Sequence, residues 1–598
     1  MAEKFISRRN IDFLLYEVFN VEKLTQYEYF QDHNRQTFNL VVDTAYKLAS
    51  KKLFPVFPEM ESHPPRFVDG IARVHPAVKN IMQEFGRGGW INAALPYEYG
   101  GQQIPSVIQS IIHFIFAAAN SSLTVYSSLT FGAANLIVSF GSQELKDTYL
   151  ENMFAGRWQG TMALTEPDAG SSLADIKTQA LDTGLGYYKI KGTKIFISAG
   201  DTDAVENTVH MMLARIKGAP AGTKGISLFV VPKYRIGNNG QLVYNDLTCN
   251  GIEQKMGYKG CPICQLSMGD NNDCHGFLVG EPNKGLNYMF QMMNEKRVKV
   301  GIIAASKATA CYQAALEYCN QRLQGRRIID EKDPLSPQIP IIEHPDVKRM
   351  LLFQKAICEG SLSLCLQASL YLDLSNRGNQ EYQLLADFLI PVVKSYPAEM
   401  GILSTSAAIQ CLGGYGYCQD FPVEQYYRDI RIDAIHEGTT GIQAKDLLGR
   451  KVTMKNGKAC QLFIEEIQAT INLAQQIPEL QPYANRLAAA LNLFSDVTSY
   501  LLNIYRAGDA ERFQADATVY LMMTGILAVG WQWLLQAITA FNALSGAVTD
   551  SDRNFYNGKL YTMQYFFNYE IPKTSALAET LKQDNAVTME IKPKHFCD

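Results

Sequence analysis

The first part of the sequence lacks cysteine altogether. No cysteine occurs before Cys249, and the twelve cysteines that follow form no even series of short spacings. In a chain of 598 residues this pattern indicates reduced thiols in a cytoplasmic protein rather than a disulfide framework. The sequence also lacks a basic excess, since its formal net charge is -4, and it therefore predicts no nucleic-acid partner.

One long segment lacks charge. Residues 517–549 contain no Asp, Glu, Lys or Arg, which is enough length to span a bilayer. Gln532 and Gln536 interrupt the segment at helical spacing, and their amides would be costly in lipid but easily satisfied inside a helical bundle. We therefore expect two helices that divide around Ser545-Gly546 in a buried bundle core, with membrane contact as the alternative.

The hydrophobic period changes twice along a chain that is too long for a single core. A helical period gives way after about residue 155 to the apolar–polar alternation of strands, clearest in residues 188–197, and it returns from about Gly285. A sheet between helical segments predicts an α+β fold with a separate β domain. The helices expected in the returning region cover residues 297–318, 347–375, 384–412 and 434–448. The expected domains are an N-terminal helical domain (1–158), a middle β domain (159–284), a C-terminal helical bundle (285–454) and an additional helical domain (455–598).

Four short motifs contain residue types suited to ligand binding or proton transfer. Residues 162–172 (MALTEPDAGSS) form a Gly-Ser loop whose backbone N–H groups and hydroxyls can approach a ring edge or a pyrophosphate. Residues 194–200 (KIFISAG) place an aromatic and a hydroxyl on a strand. Residues 410–417 (QCLGGYGY) pair two glycines after a helix, where a ligand can come close to the backbone. Residues 435–443 (IHEGTTGIQ) place a glutamate at a junction between a loop and a helix.

Each motif alone also has a purely structural interpretation. The first is consistent with a surface turn, the second with a core strand, and the third with a helix C-cap. The glutamate of the fourth is consistent with an acidic charge at a helix N-terminus. The four motifs in one order and at one set of spacings are far more specific than any of them alone.

As a set, the motifs resemble those of the acyl-CoA dehydrogenase family over about residues 40–450. The chain length, the RLQGR segment (residues 322–326) and the long helical tail resemble the larger bacterial branch that includes 3-methylmercaptopropionyl-CoA dehydrogenase. The resemblance implies FAD as cofactor and α,β-dehydrogenation of an acyl-CoA thioester to the trans-2-enoyl-CoA. It also implies electron-transferring flavoprotein as acceptor, a homodimer, and a bacterial cytoplasmic location with peripheral inner-membrane association as the alternative.

The resemblance also implies a role for individual residues. Glu437 would be the catalytic base. The FAD-binding residues would be Leu164, Thr165, Gly170, Ser171, Phe196, Ser198, Arg322, Gln410, Gly413, Gly414 and Thr439. The acyl-CoA substrate would contact Ser171, Arg297, Glu437 and Gly438. Four of these residues would contact the adenylate part of FAD, usually of the FAD that a neighbouring subunit holds. They are Arg322, Gln410, Gly413 and Gly414.

Several alternatives stay open at this point. Some relatives place the base just before the position of Arg297, and here Glu295 lies near that place, so it is the second candidate for the base. An acyl-CoA oxidase that uses O2 would share the chemistry and the length. A DNA-binding flavoprotein of the same fold is disfavoured by the net charge and by the presence of Glu437.

A zinc site is the remaining alternative for one group of residues. Cys261, Cys264, Cys274 and His275 carry ligand chemistry, but their spacings are unusual for a structural zinc site. We therefore expect no metal, and a loop of the β domain with incidental thiols.

Overall fold

The computed structural model describes residues 4–583 and 587–597, without the side chains of residues 290–292. By its internal contacts the chain divides into two compact units. One unit is Gln36–Lys296, and the other combines Met1–Arg35 with Arg297–Asp598. The four domain boundaries expected from the sequence stay a prediction, and the compact units group the first 35 residues differently from them.

The unit Gln36–Lys296 begins with helices. Its longest helix, Ser106–Phe140, is interrupted at Asn120, whose φ of -166° and ψ of 93° are not helical. The Asn120 side chain stabilises this break, because its Nδ2 donates to Leu53 O (3.3 Å) and its Oδ1 accepts from Leu123 N (3.0 Å). The helices of this part are Arg35–Leu48, Phe57–Ser62, Ala77–Arg87, Ser106–Phe140 and Gln143–Phe154.

A sheet of eight strands follows these helices. Numbered in chain order, its strands are β1 (Trp158–Ala163), β2 (Gln179–Asp182), β3 (Tyr188–Ser198), β4 (Asn207–Ile216), β5 (Ile226–Pro232), β6 (Leu247–Ile252), β7 (Ile263–Met268) and β8 (His275–Val279). Their order is β6-β7-β3-β8-β5-β4-β1, and β2 pairs with β3 and β4. Most pairs are antiparallel, but β1 and β2 run parallel to β4. The strands expected from the alternating pattern are confirmed.

Both faces of the sheet are covered by apolar side chains. In β4, Met211 and Leu213 pack in one hydrophobic cluster while Met212 and Ala214 pack in another, as the alternation of side chains along a strand requires. The cluster with Met211 also contains residues of the helix Ser106–Phe140. The sheet is therefore an internal layer of its unit.

One element of the first 155 residues contradicts the all-helical expectation. Strands Arg66–Val68 and Ile71–Arg73 form an antiparallel hairpin. Asp69 (φ 52°) and Gly70 (φ 76°) both have left-handed backbones, which is the requirement of a tight two-residue turn. The Asp-Gly pair was the available signal in the sequence. A second hairpin joins Tyr234–Ile236 to Leu242–Tyr244.

The other unit is built of helices, and its described residues form no strand. The expected helices over residues 297–318, 347–375 and 384–412 are confirmed. Its helices are Arg8–Asp12, the part of Gly285–Gln321 from Arg297 onward, Pro345–Ser375, Gln380–Leu412, Val423–Ile430, Thr440–Asp446, Lys458–Ala474, Gln481–Arg506, Ala510–Ala515, Ala517–Leu544, Asp550–Tyr569, Lys573–Lys582 and Val587–Glu590. The expected helix over residues 434–448 is wrong, because Glu437 and Gly438 have left-handed backbones and helix Thr440–Asp446 begins only after them.

The charge-free segment forms the helix Ala517–Leu544, which is largely buried in its unit. The helix ends at Leu544, next to the expected division at Ser545-Gly546. The oxygens of its two amides find partners, since Gln532 Oε1 accepts from Ser363 Oγ (2.7 Å) and Gln536 Oε1 accepts from Lys559 Nζ (2.9 Å). The Nε2 atoms of both amides are buried and make no hydrogen bond to any residue that the structure describes. By length and composition alone, three helices of the described chain could cross a membrane, namely Ser106–Phe140, Gln481–Arg506 and Ala517–Leu544.

Candidate active site

The predicted base lies in a tight corner between two helical segments. Glu437 is half-buried, with a φ of 55°, and Gly438 follows with a φ of 90°. A left-handed backbone in a residue with a side chain costs on the order of 1 kcal/mol, so surrounding contacts must hold it. Gln443 supplies them: its Nε2 donates to Glu437 O (3.2 Å) and to Gly438 O (3.4 Å). These contacts fix the backbone from which the Glu437 side chain extends.

Gln443 was not among the predicted site residues. Its side chain is fully buried on helix Thr440–Asp446, and a Cβ at Gly438 would lie 2.6 Å from its Nε2. Only a glycine at position 438 leaves room for this amide. Thr439, predicted to contact the cofactor, caps the same helix, where its Oγ1 accepts from Ile442 N (3.4 Å).

Arg297, predicted to bind substrate, is buried in an ion pair. Its Nη1 donates to Asp446 Oδ2 (3.0 Å), and Asp446 also accepts from Arg450 Nε (2.6 Å). Burial lowers the pKa of Arg297, although the negative charges of Asp446 and Glu437 oppose that shift. Arg297 is therefore a fixed positive charge that acts on the region of Glu437.

The second candidate for the base has a different setting. Glu295 is half-buried in the unit Gln36–Lys296, where Asn135 Nδ2 donates to its Oε2 (3.4 Å). Its neighbour Lys296 is buried.

The first two motifs meet in the unit Gln36–Lys296. Leu164 and Thr165 follow strand β1, and Ile195 N of strand β3 donates to Thr165 O (2.9 Å). This contact places the half-buried Ser198 and the exposed ring of Phe196 on the strand that adjoins Thr165. Phe196 has a φ of 60°, an uncommon conformation for a bulky residue. The structure thus brings together Leu164, Thr165, Phe196 and Ser198, four of the residues predicted to bind FAD, and this group is called the ring end of the proposed FAD site.

A buried ion pair, missed in the sequence, supports this arrangement. Lys194 Nζ donates to Glu166 Oε1 (2.7 Å) and to Leu164 O (2.9 Å), and both charged side chains are buried. Glu166 also accepts from the backbone N–H groups of Lys177 (2.5 Å) and Thr178 (3.1 Å). Lys194 belongs to the second motif and Glu166 to the first, so the pair joins the two motifs side chain to side chain.

Ser171, predicted near the pyrophosphate of FAD, and Gly170, predicted to bind FAD, lie in the exposed loop after this pair. A Cβ at Gly170 would meet only Thr165 Cγ2, at 3.8 Å. An exposed loop with this much space can admit a phosphate close to its backbone.

The four residues predicted at the adenylate part line one open cavity of about 740 Å³. They come from the end of helix Gly285–Gln321 and from the end of helix Gln380–Leu412. A Cβ at Gly413 or at Gly414 would meet nothing within 4 Å, so these glycines leave the cavity open. Other lining residues with polar or aromatic side chains are Tyr318, Gln324, His344 and Tyr415.

The cysteines considered as zinc ligands are buried thiols. Cys261, Cys264 and Cys274 are free and buried. His275 stacks on Tyr187 with ring centroids 3.9 Å apart. In the described part of the chain, His, Cys, Asp and Glu side chains form no group of three or more arranged to hold a metal ion.

Comparison with known families matches almost the whole chain. The matching models are the N-terminal domain (residues 36–157), the middle domain (161–271) and the C-terminal domain (283–452) of acyl-CoA dehydrogenase, and an acetyl-CoA dehydrogenase C-terminal-like domain (463–592).

Individual relatives match over most of their length. The chain is 38% identical over 518 residues to 3-methylmercaptopropionyl-CoA dehydrogenase of Ruegeria pomeroyi, with 86% of each chain covered. It is 32% identical over 605 residues to a butyryl-CoA dehydrogenase of Syntrophomonas wolfei, with 98% of each covered. Among solved structures, the FAD complex of an acyl-CoA dehydrogenase from Bacillus anthracis superposes with a TM-score of 0.72 at 20% identity, covering 93% of this chain and 90% of that one. The chain therefore belongs to the acyl-CoA dehydrogenase family, as its four motifs predicted.

Proposed function

We propose that this enzyme removes the α-proton of an acyl-CoA thioester with Glu437 while the β-carbon loses a hydride, which yields the trans-2-enoyl-CoA. The observation that carries the proposal is the corner at Glu437 and Gly438. A glutamate held in a left-handed conformation by a buried amide is costly to keep and is typical of a functional position.

The residues present fit FAD as the cofactor. An exposed aromatic ring (Phe196) and a hydroxyl (Ser198) adjoin Thr165, which suits a flat ring system with polar edges. The cavity around Arg322 and Gly413 has the size and the basic group expected for an adenylate. Bound FAD would supply the acceptor for the hydride that leaves the β-carbon.

The protein supplies orientation and electrostatics for the proton transfer. Glu437 is half-buried, so its carboxylate is less hydrated than one in water. Loss of hydration makes a carboxylate a stronger base. Gln443 holds the backbone carbonyls of Glu437 and of Gly438, so the backbone that presents the Glu437 side chain is fixed. Orientation of this kind contributes to rate because the reacting atoms must approach within about 3 to 3.5 Å.

The test is anaerobic titration of the purified protein with acyl-CoAs of graded chain length, followed by the bleaching of flavin absorbance. We expect Glu437→Gln to retain FAD and to lose flavin reduction by several orders of magnitude. Glu295→Gln is the matched control and should remain active. A Glu437→Gln variant that keeps more than about a tenth of the rate, or an inactive Glu295→Gln variant, would reassign the base.

We further propose electron-transferring flavoprotein as the electron acceptor and a homodimer as the working form. The dehydrogenase names of the relatives support the first proposal. Slow reoxidation of the reduced protein in air, with turnover restored by electron-transferring flavoprotein, is the expected result. Rapid release of hydrogen peroxide would instead assign an oxidase. Light scattering coupled to gel filtration measures the oligomeric state.

A further inference from the structure

The residue before the proposed base is tied to a buried ion pair. His436 Nε2 lies 3.2 Å from Asp433 Oδ1, three residues earlier in the chain. Asp433 Oδ2 lies 3.0 Å from Lys307 Nζ on helix Gly285–Gln321, and the side chains of Asp433 and Lys307 are each 1% exposed. The His436 ring is therefore attached, through one carboxylate, to a helix that is distant in the sequence.

The buried pair anchors the segment that leads to Glu437. Lys307 Nζ donates to Asp429 O (3.0 Å) as well as to both oxygens of the Asp433 carboxylate. Asp433 lies in the short helical turn Arg431–Ala434. One buried ammonium thus holds two points of the segment just before the base.

The hydrogen bond between His436 and Asp433 has a defined direction. Burial alone would raise the pKa of Asp433, but the attraction of Lys307 and a hydrogen bond from His436 lower it below its ordinary value. An ionised carboxylate accepts hydrogen bonds and cannot donate them. Nε2 of His436 therefore carries a hydrogen and is the donor to Asp433.

His436 joins this anchor to the left-handed corner of the base. A peptide bond connects His436 to Glu437, whose φ is 55°. On the C-terminal side of the corner, Gln443 Nε2 donates to Glu437 O (3.2 Å). On the N-terminal side, the His436 ring is bound to Asp433. A left-handed backbone outside glycine persists only where surrounding contacts over-determine it, and these contacts act on the corner from both sides.

We propose that His436 is a positioning residue that acts through Glu437, because its hydrogen bond to Asp433 fixes the backbone from which the base extends. The proposal rests on the assignment of Glu437 as the base. Without this hydrogen bond the corner can shift, and a displacement of about 1 Å can cost about 100-fold in rate. The His436 side chain is 36% exposed, so its substitution leaves the buried pair itself intact.

The test compares His436→Met with His436→Gln, two substitutions of similar volume. The amide nitrogen of glutamine can take the place of the imidazole Nε2 and donate to Asp433, whereas methionine has no donor. Anaerobic stopped-flow reduction of the bound flavin, at increasing acyl-CoA concentrations, gives the limiting rate and the half-saturating concentration. In His436→Met the limiting rate should fall by about tenfold or more, while the half-saturating concentration stays within about twofold of the wild type. His436→Gln should recover most of the rate.

A second background tests whether the effect passes through Asp433. Lys307→Met combined with Asp433→Leu removes both charges of the buried pair, so that neither charge is left buried alone. Adding His436→Met to this double variant should slow flavin reduction no further, because the hydrogen bond is already lost. A further loss of about tenfold would overturn the proposal, since His436 would then act by another route. If the double variant does not fold, the comparison of His436→Met with His436→Gln decides alone.

His275→Met is the matched control. His275 has the same kind of contact with an aspartate, since its Nε2 lies 3.1 Å from Asp273 Oδ1, but it lies on strand β8. This variant should keep the wild-type limiting rate per bound flavin. A loss equal to that in His436→Met would mean that the rate reports general loosening of the protein, and it would overturn the positioning role.

The inference is also overturned if His436→Met keeps the wild-type limiting rate, or if His436→Gln is as slow as His436→Met. A raised half-saturating concentration with an unchanged limiting rate would assign His436 to substrate binding instead. Glu437→Gln, measured alongside, separates this failure from failure of the proposed function. An active Glu437→Gln variant removes the base assignment itself, whereas an inactive one beside a fully active His436→Met variant overturns only the role of His436.

Discussion

Lys194 and Glu166 form a buried ion pair, with Nζ 2.7 Å from Oε1, that links the first two sequence motifs. Lys194 also donates to Leu164 O, so the pair fixes the backbone next to Thr165. A buried pair of this kind contributes little net stability compared with apolar residues, but the loss of one partner is costly. The pair therefore acts as a positioning device for the proposed ring end of the FAD site.

Lys194→Met should destabilise the protein and weaken FAD binding. It leaves Glu166 buried without its cation, which typically costs about 3 to 5 kcal/mol. Denaturant unfolding gives the free energy, and the ratio of flavin to protein absorbance gives the FAD content. Adding Glu166→Leu to the variant should recover part of the stability but not the FAD content. An equal FAD content in the single variant and the wild type would contradict the positioning role.

The same pair predicts acid sensitivity. Burial alone would raise the pKa of Glu166, but attraction and hydrogen bonding by Lys194, together with the N–H groups of Thr178 and Lys177, lower it below its ordinary value. A carboxyl group with a lowered pKa in the folded state contributes stability above its unfolded pKa, and this contribution is lost as the pH falls through the folded pKa. The stability difference between wild type and Glu166→Gln should therefore be largest near neutral pH and narrow below about pH 4. A stability difference between the two proteins that stays constant from neutral pH to below pH 4 would contradict the lowered pKa of Glu166.

The sequence predicted which residues of the short motifs lie near one another, while their roles in binding stay a prediction. Arg322, Gln410, Gly413 and Gly414 were expected together, and they line one cavity. Glu437 was expected at a junction between a loop and a helix, and it precedes helix Thr440–Asp446. Such residues could be predicted because each lies close along the chain to the other residues of its motif.

Contacts between residues far apart in the sequence, and backbone conformations that interrupt a helical pattern, could not be predicted in this way. Lys194 and Glu166 lie 28 residues apart, and their pairing depends on how strand β3 meets the segment after β1. The break in the expected helix over residues 434–448 depends on left-handed backbones at Glu437 and Gly438, which the helical period alone does not reveal.

Gln443→Met should slow flavin reduction without a large change in substrate affinity. The substitution keeps the volume of the buried side chain but removes both hydrogen bonds to the carbonyls of Glu437 and Gly438. A carboxylate displaced by about 1 Å can cost about 100-fold in rate. Stopped-flow reduction gives the rate and its dependence on acyl-CoA concentration. Gln468→Met, which removes only an exposed hydrogen bond to Asn472 (2.9 Å), should leave both unchanged.

Two helical glycines should respond in opposite directions to the same substitution. Gly301→Ala places a Cβ 2.1 Å from Val393 O, so the two helices must separate, at a cost of about 1 to 3 kcal/mol. At Gly558, inside helix Asp550–Tyr569, a Cβ meets nothing within 4 Å, and Gly558→Ala should stabilise by about 0.5 to 1 kcal/mol through helix propensity. Thermal unfolding measures the change in melting temperature of each variant. Gly301→Ala should also slow flavin reduction, because separation of the helices moves Arg297, about one turn before Gly301, whereas Gly558→Ala should not. Equal shifts in the two variants would mean that the contact at Val393 does not hold the helices together.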